Sequence, residues 1–238
     1  QIFYTTNGST PSTDDFLYTS PLMLDQQLYS TSNIYKIPTT AEKDFFVPGD
    51  VQRCIVLRCA AFDKDGKQIS TVATQSYFIK SLGCDFETLP VVSICADSFD
   101  LFDYEKGILV PGKYYQKGSD WERPINVELY DTDNAGFNQG AGLRTHGGSS
   151  RYYSQKGLTL YAKKDYGPKR FDYKVFEDCD LTGFKRLVLK PFHSAWTPAG
   201  VQDYIGSHIA QPLGQDVLAS RPAILFINGE YWGIYFLE

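Results

Sequence analysis

The sequence predicts an α+β protein in two parts: an all-β module over residues 1–80 and a sheet-rich mixed unit over residues 81–238. Three observations carry this. Short β-branched and aromatic runs broken by turn-formers fill the first 80 residues. After Ser81, Leu82 and Gly83, which read as a linker, longer strands mix with helical stretches. An Asn-Gly pair between two apolar runs then marks a tight hairpin near the C-terminal end.

In chain order, residues 2–6 (IFYTT) form a strand that Asn7, Gly8 and Pro11 break. Residues 24–49 show no clear period and receive no assignment. Residues 54–62 form a second strand with Ile55, Leu57, Cys59 and Ala61 on one face. The polar turn DKDGK leads from it into residues 70–79 as a hairpin.

In the second part, residues 89–94 (LPVVSI) are a strand, and residues 97–103 a helical turn capped by Asp97 or Ser98. Residues 124–130 alternate, which places Ile125, Val127 and Leu129 toward a core. Residues 142–146 and 156–162 are strands flanking a Gly/Ser loop, and residues 186–190 add a strand with Leu187 and Leu189 inward. Thr197 and Pro198 suit the N-cap and first position of a helix. Its residues Val201, Tyr204, Ile205 and Ile209 share a face expected to pack on the sheet. Residues 223–227 and 231–237 pair around Asn228 and Gly229.

Composition narrows the function classes. A net charge of −5 argues against a nucleic-acid partner gripped through its phosphates. No apolar run reaches the roughly 20 residues that span a bilayer. The first residues lack the basic and apolar regions of a signal peptide. Cys54, Cys59, Cys84, Cys95 and Cys179 form neither a CxxC pair nor a closed disulfide set, so they are expected to pack as small apolar groups. Cys54 and Cys59 point to opposite faces of one strand and are not expected to bond. His146, His193 and His208 lack a metal-ligand spacing. Trp121, Trp196 and Trp232 are read as packing anchors, with sugar stacking as the other use.

The segment HGGSSRYYSQK (146–156) carries the candidate chemistry. Gly147 and Gly148 let backbone amides approach an anion, Ser149 and Ser150 add hydroxyls, and Arg151 and Lys156 bring positive charge. Lys156 shares its strand face with Leu158 and Leu160, which holds its ammonium over the core edge. The other reading is a surface hairpin with two incidental cations. The loop matches neither the P-loop nor the kinase G-x-G-x-x-G pattern.

Two resemblances add to this reading. The runs IFYTTNGSTPSTDDFLYTSPL and VLRCAAFDKDGKQISTVATQSYFI resemble the small fibronectin-like β-sandwich found at the C-terminal end of chitobiases and hexosaminidases, a spacer or adhesive module. LPVVSI, LFDYEKGI, ERPINVELYD, GLRTHGGSSRYYSQKGLTLYAKKDYG, FKRLVLKP and PAILFINGEYWGIYFLE, in that order, resemble the CotH-type spore-coat kinase family. That resemblance implies the N-terminal lobe of an atypical protein kinase, which binds ATP with Mg or another divalent metal. It further implies a secreted or coat protein as acceptor and an extracytoplasmic bacterial location.

Carried over residue by residue, the resemblance makes Gly147, Gly148, Ser149, Ser150, Arg151 and Lys156 the phosphate-binding set, with Lys156 the α/β-phosphate contact. Asp203 is a candidate ion-pair partner for that lysine, with a solvated surface acid as the alternative. Backbone groups of Phe236, Leu237 and Glu238 are candidates for the adenine edge at the lobe connection. The acids that orient the acceptor hydroxyl and hold metal lie, in that family, in a helical second lobe. This chain is therefore expected to carry no catalytic or metal-binding residue, and to bind ATP weakly without transferring phosphate. The competing reading is a non-enzymatic surface protein that binds glycan or another protein.

Overall fold

A computed structural model describes residues 1–41, 47, 49–84, 86, 88–133, 135–192 and 201–238. Strands β1 (Ile2–Thr5), β2 (Phe16–Leu17), β3 (Ile55–Ala61) and β4 (Ala73–Tyr77) form an antiparallel sheet in the order β2-β1-β3-β4. The resemblance led to an expectation of two facing sheets; the described residues form this one. Its more deeply buried face is not the one that carries Ile55, Leu57, Cys59 and Ala61. Val56 and Ala60 are buried with Thr74 and Ser76, whereas Leu57, Cys59 and Ala61 stay half-exposed. The side with fewer apolar residues is covered because the rest of the molecule docks on it, and Arg58 there donates to the Gly8 carbonyl.

Seven strands then close a barrel: β5 (Val91–Cys95), β6 (Arg123–Tyr130), β7 (Gly136–His146), β8 (Gly157–Tyr161), β9 (Arg186–Pro191), β10 (Arg221–Ile227) and β11 (Glu230–Leu237). The order is β10-β11-β9-β8-β7-β6-β5, sealed by parallel pairing of β10 with β5. Closure leaves no open sheet edge. The predicted alternations hold inside it, with Ile125, Val127 and Leu129 of β6 and Leu187 and Leu189 of β9 in the barrel core. Asn228 and Gly229 join β10 to β11 with φ of 47° and 81°, the left-handed pair that a two-residue hairpin requires. Helix α1 (Ser98–Phe102) is capped by Asp97, whose carboxylate accepts from Phe99 N–H at 3.0 Å.

Strand β5 is buried at all five positions because both of its faces are covered. Val92 and Ile94 point into the barrel. Val91 and Cys95 join Cys54, Val56, Cys84, Ile224 and Phe226 in a second core between the barrel and the first sheet. Cys54, Cys84 and Cys95 thus pack as predicted and Cys179 is partly buried against the barrel core, but Cys59 stays half-exposed; all five are free. Residues 24–41, unassigned from sequence, run from the first sheet across the barrel and place Ile34 in the barrel core.

Helix α2 (Gln202–Ala210) lies against the outer wall of the barrel. Thr197, Pro198, His193 and Trp196 lie outside the described residues. The predicted packing face of α2 is corrected: Ile205 and Ile209 are exposed, and Tyr204 makes the contact by stacking on Phe236 at 5.5 Å between centroids. Spacing alone puts Tyr204 and Ile205 side by side, and cannot say which edge of the stripe meets the sheet.

Candidate functional site

Strand alternation puts two lysines, the predicted Lys156 and the unpredicted Lys190, on opposite sides of the barrel wall. Leu158 and Leu160 face inward from β8, so Lys156 also faces inward; Leu187 and Leu189 face inward from β9, so Lys190 faces outward. Lys156 is 1% exposed. Its ammonium donates to the carbonyls of Thr39 and Tyr153 and sits 4.0 Å from the centre of the Tyr114 ring. Burial lowers its pKa to about 7.

Arg151 is likewise turned into the structure. It lies in the 3-10 turn Ser149–Tyr152, and its guanidinium reaches the carbonyls of Tyr114, Tyr115 and Gln116 at 3.5, 3.4 and 3.2 Å. Both cations of the predicted phosphate set are therefore engaged by backbone oxygens. Gly147, at φ 99°, turns the chain out of β7 in a conformation that L side chains rarely adopt. Gly148 has open space where a Cβ would stand, and Gly148 and Ser149 are exposed. The small residues of the loop thus remain accessible while its charged residues face in.

On the outer wall, His146 pairs with Gly157 across β7 and β8. One step beyond the Leu158–Leu189 pair, Lys190 joins the same row and pairs with Phe236 of β11. Partial burial, with Arg151 and Lys190 nearby, lowers the pKa of His146, whose Nδ1 lies 3.0 Å from Thr159 Oγ1. The end of the glycine loop and Lys190 therefore share one electrostatic neighbourhood.

Asp203, on the first turn of α2, bonds to the Lys190 ammonium. The sequence offers it as a partner of Lys156 or as a solvated acid; its side chain is 67% exposed, and the lysine it meets is Lys190. Glu238 stands on the opposite side, 3.9 Å from Lys190, and burial raises its pKa. A cavity of about 280 Å³ opens beside the pair, bordered by Lys190, Asp203, Tyr204, Phe236 and Glu238. A second of about 600 Å³ adjoins it along Tyr204, Leu218 and Glu238. Together they reach the size usual for small-molecule sites. The Glu238 backbone is held in the ladder by Val188, N–H to O at 2.8 Å and O to N–H at 2.7 Å. The side chains of Phe236 and Glu238 face the cavity, while Leu237 is in the barrel core.

Sequence reasoning missed Lys190. The signal was present, since the alternation that turns Leu187 and Leu189 inward turns Lys190 outward, and turns Lys156 inward with Leu158 and Leu160. Trp121 and Trp232 pack against the core, as read from sequence. His208 is exposed, its Nδ1 2.9 Å from the Tyr204 carbonyl oxygen. Among the described residues no group of three or more His, Cys, Asp or Glu side chains is placed to hold a metal ion. Nor is any helix among them long and apolar enough to cross a membrane.

Residues 143–238 match the family described as CotH kinase protein, and residues 1–77 match the family described as Fn3 associated. No curated protein matches the chain.

Proposed function

We propose that this chain, a CotH-type kinase module preceded by an Fn3-associated one, holds ATP on the outer wall of the barrel, with Lys190 and Asp203 as its aligning pair. The ion pair is the observation that carries the reading. A small-residue loop lies between β7 and β8, a lysine on the next strand, and an acid on the helix that follows. Protein kinases align ATP with the same parts: a glycine-rich loop over the phosphates, and a strand lysine paired to a helix acid.

In this reading the amides of Gly147, Gly148, Ser149 and Ser150 face the phosphates and Lys190 takes the α/β-phosphate contact. Phe236 and Glu238 border the space for the base. Lys156 and Arg151 support the loop from behind. A divalent metal is part of the family's chemistry, but Asp203 is already paired with Lys190 and belongs to no group of three or more side chains placed to hold a metal among the described residues, so no metal contact is assigned. The chain's part is to bind and orient nucleotide. A secreted or coat protein as acceptor, and a surface location, follow from the same family reading.

Calorimetric titration with ATP tests it. The wild type binds weakly, Lys190→Met lowers affinity at least about tenfold, as loss of one charge-assisted contact does, and Asp203→Asn lowers it less. Binding indifferent to Lys190→Met overturns the assignment.

A further inference from the structure

The segment that crosses the barrel is tied down at two places, and the second is the glycine loop. At the first, the backbone N–H groups of Ile34 and Tyr35 donate to the two carboxylate oxygens of Glu230, at 3.1 and 3.0 Å. Glu230 is a fully buried acid of β11. Arg53 fixes the same stretch by donating to the Ser30 carbonyl at 2.6 Å and to Asn33 Oδ1 at 2.8 Å. A few residues on, Thr39 reaches the C-terminal flank of the β7–β8 loop. Its hydroxyl donates to the Ser154 carbonyl at 2.7 Å, and its own carbonyl accepts from the Lys156 ammonium. Thr39 is 2% exposed.

The other flank is held by a different element. Arg151 crosses to the carbonyls of residues 114–116, and Thr145 Oγ1 donates to the Tyr114 carbonyl at 3.0 Å. The Tyr114 ring in turn faces the Lys156 ammonium. The loop is thus gripped on both sides through its own two cations, while Gly148 and Ser149 stay exposed. A loop of this composition has high conformational entropy when free, and ordering it in advance removes that cost from ligand binding.

We infer that residues 34–40 of the N-terminal module are a brace that sets the conformation of the 147–155 loop, with Thr39 as its positioning residue. The module is then a working part of the loop and not a spacer. The consequence for nucleotide rests on the function proposed above; the brace itself does not.

Hydrogen exchange of the 147–155 amides, with ATP and adenosine titrations on the full chain, tests this. Thr39→Val removes the hydroxyl and should raise loop exchange about threefold to tenfold, the range that one hydrogen bond's net contribution allows. It should weaken ATP by a similar factor and leave adenosine binding unchanged, because the loop meets only the phosphates. Thr39→Ser should restore both. Thr39→Ala, which lacks the hydroxyl without an added apolar methyl, is the second variant and should match Thr39→Val. Loop exchange unmoved by loss of the hydroxyl overturns the brace, whereas an equal loss of ATP and adenosine overturns the phosphate-contacting role given to the loop. A wild type that binds no ATP overturns the nucleotide reading instead, and the exchange response still decides the brace.

Discussion

Lys156, immediately before β8, and Lys190, on the neighbouring strand β9, face opposite sides of one barrel wall. The first is buried with backbone carbonyls and an aromatic face as its partners; the second is partly exposed and paired with Asp203. The same residue type thus has two physical roles, and substitutions should separate them.

Lys156→Met should cost stability and Lys190→Met should not. Removing the buried ammonium leaves the Thr39 and Tyr153 carbonyls without this donor, a loss of about 1–3 kcal/mol for an unsatisfied buried group. The Lys190 pair is exposed enough that its removal should cost less than about 1 kcal/mol. Urea unfolding of the two variants reads the difference.

The Lys156 contribution should depend on pH. Burial lowers its pKa from 10.5 to about 7 in the folded protein. Between those values the unfolded chain carries a proton that the folded one lacks, so the contribution rises with pH across that window and is lost as pH falls through the folded value. The stability difference between wild type and Lys156→Met should therefore widen from neutral pH upward, in denaturant melts across that range.

Glu128 should behave in the opposite sense. It is 1% exposed between β6 and the first sheet, accepting from Ser76 N–H at 2.8 Å and from the Tyr130 hydroxyl, and burial raises its pKa above 4.5. The folded protein holds that proton more tightly than the unfolded chain. Its contribution is complete below pH 4.5 and is lost as pH rises through the folded value. Glu128→Gln keeps an acceptor oxygen without the charge, so wild type should lose ground to it as pH rises above that point in the same melts.

Gly8→Ala should loosen the junction between the two sheets. Gly8 has φ 86°, and a Cβ there would stand 2.4 Å from Asn228 Cγ. Asn228 Oδ1 accepts from Ala96 N–H at 2.9 Å, so displacing it breaks a buried bond. Strain and the lost bond together should cost about 2 kcal/mol or more. Thermal unfolding should show the drop, as one transition for both sheets, because Ile34 lies in the barrel core.

Local patterns were legible and long-range pairings were not. The Asn228–Gly229 hairpin, the Asp97 cap and the inward stripe of β6 each follow from contacts within a few residues, where period and turn chemistry decide the outcome. Closure of the barrel depends on β5 meeting β10 across well over a hundred residues, and no local feature announces that partner. The crossing segment was opaque for a similar reason: its order comes from Glu230 and Lys156 far along the chain, not from its own periodicity. In the candidate site the glycine loop was legible by composition. Lys190 was legible as outward-facing from the alternation of β9, but its nearness to the loop depends on the pairing of β8 with β9, which no local feature announces.

A crystal structure with a non-hydrolysable ATP analogue tests the central claim most directly. The account predicts phosphate oxygens within hydrogen-bond distance of Lys190 Nζ and of amides in Gly147 to Ser150, with the Lys156 ammonium still on Thr39. Phosphates bound at Lys156 behind the crossing segment, or anywhere away from the Lys190–Asp203 pair, would contradict it.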